Sequence, residues 1–309
     1  MTDPTFSVVI AAYNAERTIE ETIDSVLAQS DEDFELIVID DGSEDLTLPF
    51  ALRKAAADTR IKVATQSNQG VSAARNLGVA KSRGHYLAFL DADDIWHCDK
   101  LAKHRELHER DPAIEASYAQ IVFCPDKPGK LRAGRTRSTV LEGYCALEDV
   151  VIENVVCTMS NLVIERDTFL EIGGFQRQMR HVEDQDLLAR LVGGGHLLRG
   201  IPETLVGYRM SADGLSCDFQ AMLAGWKLLA ERWSHQIDVK RGEALYCRYL
   251  ARRALRSGTT TALARDFVRK GIASDRNAFL GDGKRGVMTL GATIIGSAIP
   301  ESARTRIFA

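Results

Sequence analysis

The sequence lacks long hydrophobic runs. Its longest weakly polar stretch, Gly286–Ile299, spans 14 residues, whereas a helix that crosses a membrane needs about 20. No basic segment precedes the apolar run Phe6–Ala12, so the N-terminus does not have the pattern of a secretory signal. These two absences argue against a membrane-spanning or secreted protein and predict a cytoplasmic location.

Paired cysteine motifs are also absent. The chain of 309 residues contains 6 cysteines, none of them in C-x-x-C spacing, and it has no N-x-[ST] glycosylation acceptor. This distribution excludes a locally built zinc knuckle or redox motif and indicates reduced thiols.

Charge is divided unevenly along the chain, although the net charge is only −4. From residue 240 onward there are 14 Lys/Arg and 5 Asp/Glu, a balance of +9, so the preceding residues carry −13. An acidic body argues against nucleic acid as a partner. The basic end predicts contact with an anionic surface, either peripherally at the inner face of a membrane or on acidic residues of this chain or of a second copy in a homodimer.

Apolar, β-branched segments alternate with amphipathic ones over the first 120 residues. This pattern predicts βαβ units and a parallel sheet. Asn14 is a predicted cap of the first helix, whose stripe is Ile19, Ile23, Val26 and Leu27. The predicted strands are Phe6–Ala11, Phe34–Ile39, Ile61–Thr65 and His85–Leu90, with Ala116–Phe123 and Met159–Ile164 further along.

Each of the first four strands is followed by a polar cluster. Because ligands of open α/β sheets bind beyond the carboxyl ends of the strands, these clusters predict a site. Asp91-x-Asp93 offers oxygen-only ligands that suit Mg²⁺ or Mn²⁺. Asp40 is placed to accept a hydrogen bond from a nucleobase, and the helix that begins after Gly70 and contains Arg75 is placed to cradle a phosphate. An acidic turn and an ordinary helix start are the alternative interpretations.

These segments, in this order and spacing, resemble the nucleotide-sugar half of the family-2 glycosyltransferases. One departure is Ala12, which stands where family members commonly have proline; it should alter loop stiffness more than chemistry. A looser likeness continues through Ile172–Phe175, Val182–Asp186 and Tyr208-Arg209, and ends near residue 220. The closely matching segments are Ser7–Asn14, Asp40–Ser43, Asn68–Gly78 and Leu90–Asp94.

The resemblance implies the GT-A fold, an α/β, Rossmann-like, mainly parallel sheet with flanking helices. It implies a catalytic domain over residues 1–215, with a nucleotide-binding half (1–110) and an acceptor-side half (111–215). Residues 216–309 form a mainly helical, basic C-terminal region, because the pattern there is helical and Arg-rich.

The resemblance further implies an inverting glycosyltransferase that moves a sugar from a nucleotide-diphosphate donor, with UDP favoured, to a hydroxyl of a glycan or lipid-linked acceptor. Asp184 is the expected catalytic base and Asp93 the expected ligand of Mg²⁺ or Mn²⁺. The expected donor-binding residues are Ala12, Tyr13, Asn14, Asp40, Asn68, Gly70, Arg75, Asp91 and Arg209.

Two other functions stay open at this point. A nucleotidyltransferase would show a Gly-rich, basic loop after the first strand, and Ala11–Asn14 is not one. A catalytically silent nucleotide-sugar-binding subunit would not need both Asp93 and Asp184. His104 and His108 do not form the zinc-binding pattern H-E-x-x-H and are expected on a solvated helix face.

Overall fold

The structure is a computed structural model that describes residues 3–125, 136–179, 181–210, 218–256, 261–281 and 284–295. The strands within these ranges are β1 (Phe6–Ala12), β2 (Phe34–Asp40), β3 (Ile61–Thr65), β4 (Tyr86–Asp91), β5 (Ile95–Trp96), β6 (Ala116–Pro125), β7 (Val163–Glu165) and β8 (Leu198–Met210). The helices are α1 (Ile19–Leu27), α2 (Thr47–Ala57), α3 (Val71–Ala80), α4 (Lys100–Arg110), α5 (Leu147–Ile152), α6 (Arg166–Glu171), α7 (Glu183–Gly193), α8 (Phe219–Arg232), α9 (Val239–Arg256), α10 (Thr261–Ser274), α11 (Arg276–Leu280) and α12 (Lys284–Ile295).

The strands form one sheet in the order β3-β2-β1-β4-β7-β6-β8-β5. Pairing is parallel among β1, β2, β3 and β4 and between β6 and β8, and it is antiparallel at β7 and β5. The α/β class with a mainly parallel sheet is therefore confirmed. Every residue of β2 is buried, as expected of a central strand covered on both faces.

Helix α1 packs the predicted stripe against the sheet. Ile19, Ile23 and Val26 are fully buried beside Ile10 and Val38. The helix begins at Ile19 with Thr18 as its N-cap residue, so the prediction that Asn14 caps it is wrong. Asn14 instead adopts a left-handed backbone (φ 47°), and its side chain accepts a hydrogen bond from the N–H of Glu44 at 2.9 Å.

The second half of the sheet departs most from the sequence pattern. The predicted strand Met159–Ile164 is a 3₁₀ turn over Met159–Asn161 followed by the short strand β7. The long strand β8 was not predicted, because its glycine, proline and charged residues interrupt the apolar alternation that marks a strand. The segment is a strand because its backbone pairs with β6 in parallel along its length, with a register shift near Gln120.

The described residues form two compact units. The first lies within Met1–Cys145, Val155–Gln178 and Glu183–Ser211, and the second within Ala146–Asn154, Met179–Val182 and Ala212–Ala309. The predicted domain boundary at residue 215 lies outside the described residues. None of the described helices is long and apolar enough to cross a membrane.

The second unit has its own core. Trp226 stacks on Tyr246 with ring centroids 5.2 Å apart, and its indole N–H donates to the carbonyl of Val151 at 2.8 Å. Arg248 of α9 is buried and donates to the Phe279 carbonyl at 3.3 Å, and it lies 3.4 Å from the carboxylate of Glu153. At least this arginine of the basic C-terminal region therefore pairs within the unit.

Candidate active site

Strand register places two acidic ends on either side of β1. Ala12 pairs with Asp40 of β2, and Ala11 pairs with Asp91 of β4. The carboxyl ends of these parallel strands lie at one edge of the sheet, as predicted. The acids that follow the second and fourth strands are therefore neighbours of the same central strand.

Arg75 connects this edge to helix α7. Its buried guanidinium lies 2.6 Å from the carboxylate of Asp91 and 3.0 Å from that of Asp184. The guanidinium carbon also lies 5.1 Å from the centre of the Phe175 ring. Asp184 and Asp91 are 93 residues apart in sequence, and one cation brings them together.

This arrangement shifts the pKa values of Arg75 and Asp184. Burial acts to lower the pKa of Arg75, but the carboxylates of Asp91 and Asp184 outweigh it and raise that pKa, so the guanidinium is always charged. Burial raises the pKa of Asp184 to about 7; Arg75 opposes this shift, and the like charges of Glu183 and Asp91 add to it. A carboxyl that titrates near neutral pH is suited to general-base work.

The neighbouring residue Asn76 attaches α3 to the loop before α7. Its side-chain amide donates to the carbonyl of Phe175 at 2.8 Å and accepts from the N–H of Phe175 at 3.0 Å. Gly174 has a positive φ of 61°, which favours glycine, and a Cβ there would make a tight contact of 3.0 Å with the Asn76 side-chain oxygen. The two hydrogen bonds hold the backbone of Phe175 against α3.

Asp94, the third strand-end acid, is held inside the protein. It is fully buried, and its carboxylate accepts hydrogen bonds from the Ser160 hydroxyl at 2.5 Å, the Thr158 hydroxyl at 3.3 Å and the N–H of Arg209 at 2.9 Å. Burial raises its pKa well above the usual range, and the charges of Asp93 and Asp91 raise it further.

Thr158 and Ser160 also hold Asp91. The Thr158 hydroxyl donates to the Asp91 carboxylate at 3.0 Å, and the Ser160 hydroxyl accepts from the Asp91 N–H at 2.9 Å. Neither residue is predicted from the sequence, because two small hydroxyl side chains before a short strand form no motif. Protein donors at Asp91 and Asp94 thus offset part of the mutual repulsion among the strand-end acids.

We expect Ser160→Ala to lower the free energy of unfolding by about 1–3 kcal/mol, because it removes a donor from a buried carboxylate. Urea denaturation measures the loss. Ser82→Ala is the matched control, since the buried Ser82 hydroxyl donates only to the nearby Val79 carbonyl. Equal stability of the two variants would contradict a special role for Ser160.

Arg209 and Asp40 each carry a buried polar atom without a partner in the described part of the chain: Nε of Arg209 and Oδ1 of Asp40. Arg209 also pairs with Glu21 through its terminal nitrogen. The other carboxylate oxygen of Asp40 accepts from the N–H of Ser43 at 3.2 Å. Since buried polar atoms are normally hydrogen-bonded, both atoms have unused hydrogen-bonding capacity.

The remaining predicted donor-binding residues lie in the loops after β1 and β3. Ala12 is buried at the end of β1, whereas Tyr13 and Asn68 are exposed. Gly70, at φ 87°, is the N-cap residue of α3, and its N–H donates to the carboxylate of Asp41 at 2.8 Å. Asp41, which was not among the predicted site residues, also accepts from the N–H of Gln69 at 2.9 Å and so holds the loop that precedes α3.

The acids fit a divalent cation that is held mainly by its substrate. Asp91 and Asp94 are bound by protein donors, and Asp93 between them is half-buried. Mg²⁺ and Mn²⁺ commonly take one or two carboxylates and complete their coordination with substrate phosphates and water. Among the described residues, three potential ligands come within reach of one ion only at His97, Cys98 and Asp99, so the strand-end acids do not form a closed metal cage.

The prediction for His104 and His108 is wrong. Both are buried, and both rings lie within hydrogen-bond distance of the Ser117 hydroxyl, at 2.6 and 2.9 Å. Lys100, also fully buried, lies 2.8 Å from His104. The low hydropathy of α4 concealed this burial, because polar side chains that satisfy one another inside a protein look like a solvated face in the sequence.

Comparison with known proteins extends the resemblance. The chain is 29% identical over 243 residues to TuaG of Bacillus subtilis, a glycosyltransferase assigned to teichuronic acid biosynthesis, covering 77% of this chain and 89% of TuaG. It is 31% identical over 220 residues to the amylovoran biosynthesis glycosyltransferase AmsB of Erwinia amylovora, covering 68% and 71%. It spans 61% of the length of an uncharacterized glycosyltransferase of Haemophilus influenzae.

Solved structures show the same fold. S. aureus TarS, crystallised with UDP-GlcNAc, superposes with a TM-score of 0.63 at 16% identity over 94% of this chain and 92% of the TarS fragment. The mannosyltransferase PcManGT of Pyrobaculum calidifontis, in complex with GDP-Man and Mn²⁺, gives a TM-score of 0.55 at 17% identity over 98% and 79%. The GT-A fold predicted from the sequence is confirmed.

The family profile described as Glycosyl transferase family 2 matches residues 7–167, which include the ends of β1, β2 and β4, Arg75 and the Thr158–Ser160 support. Since this match covers more than half of the chain and agrees with both the relatives and the fold, the chain belongs to glycosyltransferase family 2.

Proposed function

We propose that this protein is an inverting glycosyltransferase that transfers a sugar from a nucleotide-diphosphate donor, preferably a UDP-sugar, to a hydroxyl of a glycan or lipid-linked acceptor. The observation that carries the proposal is the Arg75 bridge between Asp91 and Asp184. Through this bridge Asp184, in the segment Val182–Asp186, lies close to Asp91 at the end of β4. Membership of family 2 supports the reaction class.

In the proposed reaction the acceptor oxygen attacks the anomeric carbon of the donor, and the bond from that carbon to the diphosphate breaks. Asp184 accepts the proton of the attacking hydroxyl, which its pKa of about 7 permits at neutral pH. Arg75 acts as a positioning residue that orients the Asp184 carboxylate. A single displacement of this kind inverts the configuration of the anomeric carbon.

The donor would meet the two unpartnered buried atoms. The Asp40 oxygen is an acceptor suited to an N–H of the base, and the Arg209 nitrogen is a donor suited to the diphosphate. Asp91 would contact the ribose or the sugar, and Asn68 with the loop before α3 would line the nucleotide pocket. Mg²⁺ or Mn²⁺, held by Asp93, would offset charge on the leaving diphosphate when bound.

Donor preference is tested by thermal shift with UDP, GDP, CDP and dTDP, each with and without Mn²⁺. We expect UDP with Mn²⁺ to stabilise the protein most. A nucleotide at about 100 times its Kd adds about 2.7 kcal/mol to the free energy of unfolding. A larger shift with another base would replace UDP in the proposal, and equal shifts with and without Mn²⁺ would contradict metal assistance.

Transfer is tested separately by release of UDP from a UDP-sugar. A catalytically silent binding subunit would show the thermal shift but no metal-dependent release of UDP, even with an acceptor present. The cytoplasmic location and the homodimer stay predictions.

A further inference from the structure

Helix α12 buries two threonines and exposes four of its apolar side chains. Thr289 and Thr293 are buried, with exposed fractions of 3% and 1%, and their hydroxyls donate to the carbonyls of Arg285 and Leu290 within the helix. Val287 and Met288 are exposed to 59% and 68%. A surface helix of a globular protein normally shows the reverse distribution.

The exposed apolar side chains share one side of the helix. At 100° per residue, Val287, Met288, Ile294 and Ile295 fall within about 120° of one another, opposite Thr289 and Thr293. Ile294 and Ile295 are exposed to 62% and 61%. We call these four residues the α12 apolar face.

Packing against α11 fixes this orientation. Gly286 is buried at the start of α12, and a Cβ at that position would collide with the carbonyl of Phe279, which closes α11 against the helix. Rotating α12 to bury its apolar face would separate this contact and expose both threonines. The outward direction of the apolar face is therefore part of the packed unit.

The sequence from residue 240 onward complements an anionic surface in charge. The residues from 240 onward carry 14 Lys/Arg against 5 Asp/Glu. Arg265 and Arg269 on α10 and Arg276 on α11 are exposed, and both helices pack against α12. An apolar helix face on a basic, exposed surface is the pattern of a helix that lies in a lipid interface.

We propose that the α12 apolar face docks on an anionic lipid bilayer. The helix has 12 residues, too few to cross a bilayer but enough to lie in the headgroup region. A second copy is a poorer occupant, because two copies of a segment that carries 14 Lys/Arg against 5 Asp/Glu would repel one another. Arg248 of α9 is not part of this contact, since it is buried.

Vesicle flotation with the full chain tests the proposal. We expect the protein to float with vesicles of phosphatidylglycerol and phosphatidylcholine at low salt, and not with phosphatidylcholine alone. Replacing Val287, Met288 and Ile295 by serine should lower the membrane-bound fraction at least about tenfold. Leu228→Ser is the matched control, because Leu228 of α8 is exposed to 58% but lies outside the face; it should float like the wild type.

Circular dichroism verifies that the triple variant is folded, and the single variant Met288→Glu repeats the test with the smallest change. Recovery of the wild type in the soluble fraction at low salt would overturn the proposal, and so would unchanged flotation of the triple variant. The proposal would also be overturned if sedimentation showed that the wild type is a dimer and that the triple variant is a monomer, because a second copy would then cover the face. Flotation measures no sugar transfer, so its outcome is independent of the proposed function.

Discussion

Asp184→Asn is expected to lower kcat by about 10² to 10⁴-fold while donor binding is retained, because an amide cannot accept the proton of the acceptor hydroxyl. Asparagine is nearly isosteric with aspartate and still offers an oxygen to Arg75, so packing should survive. Initial rates of transfer and calorimetry with UDP separate the loss in kcat from the affinity. A near-normal rate would assign the base to another residue.

The wild-type pH profile provides a second check on the same residue. Asp184 must be ionised to act as a base, so kcat/KM should rise with pH through about 7 and then level off. The like charge of Glu183 helps to raise this pKa, so Glu183→Gln should move the rise to lower pH. Asp186 is not an alternative base, because it is fully buried and paired with Arg190 at 2.9 Å.

Asp93→Ala is expected to abolish Mn²⁺-dependent binding of UDP and to leave the protein folded. Asp93 is the proposed metal ligand, and its charge adds to the electrostatic cost of ionising buried Asp94. Removing it should therefore relieve repulsion at the strand ends rather than open the core. Calorimetric titration of UDP in the presence and absence of Mn²⁺ measures the effect.

Asp99→Ala is the matched control for Asp93→Ala. Asp99 is half-buried in the same stretch of chain and belongs to the group of His97, Cys98 and Asp99. We expect this variant to bind UDP with Mn²⁺ as the wild type does. If UDP affinity in Mn²⁺ survives in Asp93→Ala and is lost in Asp99→Ala, the metal assignment is wrong.

The sequence by itself determined the edge of the sheet at which the carboxyl ends of β1 to β4 meet. Strands β1 to β4 are short and mainly apolar, β1 to β3 are also rich in β-branched residues, and each strand is followed at once by polar residues. Both the existence of these strands and the position of their ends therefore follow from local pattern. Because parallel strands place their carboxyl ends at one edge, Asp40 and Asp91 could be assigned to one site without coordinates. The periodicity of α1 likewise fixed which face of that helix is buried.

Only the tertiary structure decided how the acids of the site are held. The buried guanidinium of Arg75 pairs with the carboxylates of Asp91 and Asp184. The buried carboxylate of Asp94 is hydrogen-bonded by Thr158, Ser160 and the backbone N–H of Arg209. These partners lie 16 to 115 residues apart and form no repeat or spacing in the sequence. The same holds for buried His104 and for the outward apolar face of α12. A polar group can be buried only where residues distant in sequence provide its hydrogen-bond partners. An apolar side chain stays exposed where the packing of its helix against the neighbouring helices turns it outward.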